Sequence, residues 1–193
     1  MNLLRDLGFL LRISHSRGIM RRYFVVNGFD GALTMLGVIL GFITTDRVPL
    51  SVVIATCLGA AIALGVSGVS SAYLSETAER QRALSDLEEA MAKSLQGSAH
   101  AQAARWVPLL IALVNGSAPL LISLLIITPL WLARAGIPLP MQALHGALLV
   151  ALLIIFFLGV FLGRVAGNSI WRSGLQTLLV ALVTVGLILL LSA

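Results

Sequence analysis

The stretch Tyr23–Thr45, YFVVNGFDGALTMLGVILGFITT, decides how the rest of the chain is read. It runs 23 residues without a basic side chain, long enough for a helix to cross the hydrocarbon core of a bilayer. Asp30 interrupts it, about 11 Å along the axis from the first residue and well past the headgroups. A carboxylate at that depth costs roughly 2.5–3.5 kcal/mol on insertion-based scales. It is expected to face protein or a wet cavity, and the remaining spans are expected to build that cavity. Two roles fit such a group. One is a site that handles a cation or proton; the other is a structural polar residue that caps a broken helix or pairs with a basic group.

Composition agrees with a membrane protein. Of 193 residues, 59% are hydrophobic and 11% charged, more apolar surface than a soluble domain of this size can hide. The net charge of +5 is spread around the apolar runs instead of forming a patch, so nucleic acid is not an expected partner. Cys57 is the single cysteine, which excludes an intramolecular disulfide and a cysteine-built metal cluster. Residues 1–22 lack the apolar core and cleavage site of a secretory signal, so no processed leader is expected.

Outward from the first span, residues 1–22 place Leu3, Leu4, Leu7, Leu10 and Leu11 on one helical stripe among five arginines. That suits an interfacial helix on an anionic leaflet, and equally a plain basic flank. The second apolar run, Leu50–Leu74, is rich in Gly, Ala and Ser, and such faces let helices approach closely. It is expected to be central, with the Gly37/Gly41 pair of the first span as a candidate contact. No breaker separates Leu74 from SETAERQRALSDLEEAMAKSLQ, so the helix is expected to continue into water as a charged extension ending near Gly97 and Ser98. A third span covers Trp106–Trp131, where Pro119 predicts a kink or unwinding near Asn115–Ser117. A fourth runs Ala143–Gly163, with Gly159, Gly163 and Gly167 at four-residue intervals, and a fifth runs Leu175–Leu191.

The expected architecture is therefore all-α and polytopic, with five transmembrane helices in the cell membrane. Its divisions are a basic N-terminal segment (1–22), helices one and two (23–74), an acidic cytoplasmic helical segment (75–105) and helices three to five (106–193). Basic residues orient it. With the N-terminus cytoplasmic and the C-terminus outside, eleven Lys and Arg lie on the cytoplasmic side, while Arg47 and Arg134 lie outside.

The remaining acidic residues concentrate after span two. Glu76 and Glu79 are three apart, as are Asp86 and Glu89, a spacing that brings carboxylates together on one face. Hard divalent cations favour such oxygen clusters. A solvated helix neutralised by Arg80, Arg82 and Lys93 explains the same pattern, and two such helices meeting across a dimer would concentrate the charge. Met35, five residues after Asp30 and about 140° around the helix from it, is read as a thioether beside the carboxylate or as packing. No Ser/His/Asp arrangement, phosphate loop, HExxH or CxxC is present, so no catalytic residues or prosthetic cofactor are expected and the chain is not read as an enzyme.

Four stretches in order carry a family resemblance: NGFDGALTMLGVILGF (27–42), ALGVSGVSSAYLSETAERQR (63–82), NGSAPLLI (115–122) and WRSGLQTLLVALVTVG (171–186). Together with the five-span count and the acidic insertion, they resemble the vacuolar iron transporter (nodulin-21-like) family, in particular its short prokaryotic members. The resemblance implies a homodimer with an ion path near the subunit interface, lined by spans one and two. It also implies proton-coupled export of Fe2+, sometimes Mn2+, from the cytosol. Asp30 matches the family's intramembrane aspartate, and the carboxylates after span two resemble its metal-gathering segment. In better-known members a GEY-type motif ends span two; here the text is SAY, with Ala72 at the glutamate position and Glu76 one turn further on.

The expected transport path is Asp30, Met35 and Glu76, and the expected metal ligands are Asp30, Glu76, Glu79, Asp86 and Glu89. Divalent cations, protons, the lipid bilayer and a second copy are the expected partners. The alternatives are a non-transporting dimeric scaffold whose charged helix binds a partner or lipid, and a proton-coupled carrier of an organic cation.

Overall fold

The computed structural model describes residues 16–45 and 48–192. The N-terminal stripe as far as residue 15, and Asp46 and Arg47 of the first loop, lie outside the described residues. Among the described residues six helices follow one another: α1 (Ser16–Ile43), α2 (Leu50–Met91), α3 (Ala99–Ile126), a short α4 (Thr128–Arg134), α5 (Ala143–Ala166) and α6 (Ile170–Ser192). All except α4 are long and apolar enough to cross a membrane, which gives five candidate spans and an all-α, multi-pass membrane protein.

Helix α2 is 42 residues long, about 63 Å. That is roughly twice the hydrocarbon thickness, so one apolar run and its charged continuation form a single rod. It stops at Met91, earlier than the expected Gly97. Ala92 turns into the left-handed region at φ 47°, and Glu88 Oε1 accepts a 2.6 Å hydrogen bond from the Leu95 N–H across the turn.

The unwinding expected near Asn115–Ser117 is not found, since these residues are helical throughout. Helix α3 runs through Pro119, and the break falls instead at Ile127, whose φ of −82° and ψ of 0° lie at the edge of the right-handed helical region. Pro129 is the cause: it removes the donor for the Leu125 carbonyl and crowds it, and α4 restarts with Pro129 in its first turn.

The chain forms two compact units, one from residues 16–24 and 65–117, the other from residues 25–64 and 118–192. In the first, Ile19, Met20 and Tyr23 of α1 pack on Ala103, Val107 and Ile111 of α3. There α2 and α3 cross closely: a Cβ on Gly116 would fall onto the Gly65 carbonyl oxygen and within 2.9 Å of the Val69 nitrogen. Asn115 Nδ2 donates to the Gly68 carbonyl at 2.8 Å beside this contact.

In the second unit Met35, Leu36, Ile39, Val53, Cys57, Ile126, Leu130 and Ile155 belong to one fully dehydrated core. The close approach of α1 uses Gly31, where a Cβ would meet Pro119 Cα at 2.8 Å. The expected pair serves no such contact, since Gly41 has nothing within 4 Å and Gly37 meets only the end of Ile188. Helices α5 and α6 pack through Gly159 and Gly163 against Ser173 and Thr177, and Thr177 donates to the Ile155 carbonyl at 3.1 Å. Gly167 does different work, capping α5 in the left-handed conformation at φ 70°.

Candidate functional site

Helix α2 presents two unlike faces in the first unit. Gly65, Gly68, Ala72 and Glu76 recur every three or four residues and are all buried, with Ala72 5% and Glu76 7% exposed. Ala72 and Glu76 therefore share one inward face, one turn apart. At the end of that face, Tyr23 Oη donates to Glu76 Oε1 at 3.3 Å, and Arg80 Nε lies 3.6 Å from Glu76 Oε2. A buried carboxylate is tolerated only when paired in this way, because desolvation otherwise outweighs what it gains.

Asp30, in the second unit, has the opposite environment. It is exposed along the side of α1, as is Val26 one turn before it, and it makes no hydrogen bond or ion pair with another described residue. A single chain does not build the shelter expected for it. The reason is rotational: Ala32, Met35, Leu36 and Ile39 hold the core-facing side of α1, and Asp30 falls outside that arc. Met35 is fully buried in the apolar core, so it and Asp30 do not share a face, and packing is what the Met35 side chain does.

Glu79, Asp86 and Glu89 are exposed on the charged extension. Among the described residues, no three His, Cys, Asp or Glu side chains come together in a way that could hold a metal ion. Within the first unit, Glu76 comes together with Tyr23 and Arg80. The partner Arg80 was readable at i,i+4 from Glu76. Tyr23, 53 residues away, carried no such signal. His100 and His145 are exposed.

Over 158 residues the chain is 30% identical to uncharacterized protein MJ0645 of Methanocaldococcus jannaschii, an alignment covering 80% of this chain and 79% of that protein. The chain belongs to the MJ0645 family. No family model and no solved structure match it. In this member of the MJ0645 family, then, two carboxylates stand out against an apolar background: Glu76, buried and partnered, and Asp30, exposed on a spanning helix without a partner among the described residues.

Proposed function

We propose that the protein is a proton-coupled transporter that exports divalent metal ions, Fe2+ or Mn2+, from the cytosol as a homodimer. The N-terminus and the charged extension lie in the cytosol in this reading, as the distribution of basic residues favours. The observation that carries it is Asp30. Its carboxylate lies bare on the flank of a helix long and apolar enough to span the membrane, where acyl chains would leave it unsolvated. A second copy laid over that flank supplies protein and water around it, and the exposed small residues Ala55, Gly59, Ala63, Ser67 and Ser70 of α2 suit close helix contact.

In this cycle Glu79, Asp86 and Glu89 raise the local concentration of the cation, and Glu76 exchanges its Tyr23 and Arg80 contacts for it. Asp30 then holds the ion until a proton from the other side neutralises the carboxylate. Met35 has no part in the path. The test is Mn2+ flux into proteoliposomes under an imposed pH gradient, comparing wild type with Asp30→Asn and Glu76→Gln. Both variants are expected to lose most of the flux, and undiminished flux in both would reject the assignment.

The pairing of Glu76 with Tyr23 and Arg80 favours a second reading, a dimeric scaffold that moves nothing. In that case the wild type itself shows no gradient-driven flux.

A further inference from the structure

In the first unit, α2 and α3 leave an open groove of about 270 Å³ between them. Tyr73, Thr77, Gln81 and Leu84 line its α2 wall, and Ala104 and Arg105 belong to the α3 wall. The α2 residues recur at intervals of four, four and three, one stripe of the helix covering about 16 Å of its axis. The stripe starts beside Leu74, where the apolar run ends, and reaches Leu84 within the charged extension. It therefore crosses the level of the lipid headgroups, a layer about 5–8 Å deep on each side of the bilayer. Tyr73 and Trp106, 43% and 47% exposed, are of the residue types that concentrate at that level.

The groove offers hydrogen-bond donors and positive charge. Arg105 carries an exposed guanidinium that sits 5.5 Å from the centre of the Trp106 ring. Thr77 Oγ1 is buried and has no hydrogen-bond partner among the described residues, although a helical threonine ordinarily bonds the carbonyl four residues back. Glu79 and Asp86 project from the far side of α2, about 120° or more around the helix from the stripe, and Glu89 lies about 80° around from Gln81. Glu88, one turn beyond Leu84 and in line with the stripe, is occupied by the Leu95 N–H, and Glu76 by Tyr23 and Arg80. A guanidinium, two hydroxyls and an amide beside small apolar walls are a donor set for a phosphate ester. The volume admits a headgroup and leaves acyl chains outside, against exposed apolar side chains such as Leu74.

We infer that this groove binds the headgroup of an anionic phospholipid, with Arg105 pairing the phosphate and Thr77 and Gln81 donating to its oxygens. The experiment adds short-chain phosphatidylglycerol to the full-length protein in detergent and reads retained lipid by native mass spectrometry and stabilisation by thermal shift. Phosphatidylcholine and inorganic phosphate are the comparison arms. Arg105→Gln is expected to lower phosphatidylglycerol retention about tenfold, the loss of one charge-assisted contact. Thr77→Val, nearly isosteric, lowers it several-fold and keeps the test open should the arginine variant fold poorly. Arg134→Gln, on α4, leaves it unchanged. Wild-type retention in both groove variants, equal loss in Arg134→Gln, or equal retention of phosphatidylcholine would overturn the inference. Displacement by millimolar inorganic phosphate would also overturn it, by assigning the donors to a soluble anion.

Discussion

Replacing Asp30 with leucine separates a carboxylate kept for function from one kept for stability. On insertion scales the change at a span's centre is worth roughly 3–4 kcal/mol in favour of leucine. Nothing is lost against that figure within one chain, because Asp30 is exposed and pairs with no described residue. In the proposed dimer, a hydrated seam between two copies would reduce the gain, since water would already solvate the carboxylate there. Asp30→Leu should therefore be neutral to stabilising, between zero and about 3 kcal/mol per chain, while gradient-driven Mn2+ flux falls to background. Denaturant unfolding in lipid nanodiscs gives the first number and proteoliposome flux the second. A destabilisation of about 2 kcal/mol or more would refute the reasoning, because it would mean the carboxylate holds the fold together.

Gly116→Ala should destabilise by about 1–3 kcal/mol, since its Cβ meets the backbone of Gly65 and Val69, which cannot give way as a side-chain end would; the thermal midpoint reads this. Gly59→Ala, with nothing within 4 Å of the new methyl, should be neutral or gain up to about 1 kcal/mol from helix propensity. Gly59→Leu should leave the single chain folded but lower the dimer fraction measured by light scattering, and an unchanged dimer would remove that face of α2 from the interface. Tyr23→Phe removes one long hydrogen bond to Glu76 and should cost about 1 kcal/mol in chemical unfolding, whereas Glu76→Ala breaks a buried pair and should cost roughly 3.

The five spans were legible because each is a long apolar run, and hydropathy is a property of the chain itself. What the sequence could not supply is direction around each helix. Three prolines punctuate the third span, yet Pro119 lies within an unbroken helix and Pro129 sits at the break. Two glycine pairs of similar spacing had different fates as well. Gly159 and Gly163 carry a helix contact, whereas Gly37 and Gly41 do not, and Gly31 makes the close approach in their place. The neighbour that fills or leaves a gap comes from elsewhere in the chain, beyond the reach of local spacing. For the same reason Asp30 was recognisable as an anomaly but its exposure was not, and Tyr23 could not be named as the partner of Glu76.

Those two carboxylates reverse the usual arrangement of a membrane protein. The one near the end of the apolar run, where water is close, is buried and doubly held; the one deep in a span is bare. If both served stability, selection would place partners where solvation is poorest, beside Asp30. A single chain places them at Glu76. Desolvating Asp30 without a partner raises the energy of the folded monomer, and only an interaction absent from the monomer recovers it: a second copy, water admitted between copies, a bound cation or a proton. Each of these is a component of the proposed proton-coupled cation path, whereas a dimeric scaffold needs only the second copy. A carboxylate that is costly in the isolated chain and satisfied only by the transported species or the assembled dimer is what coupling between ion, proton and protein requires.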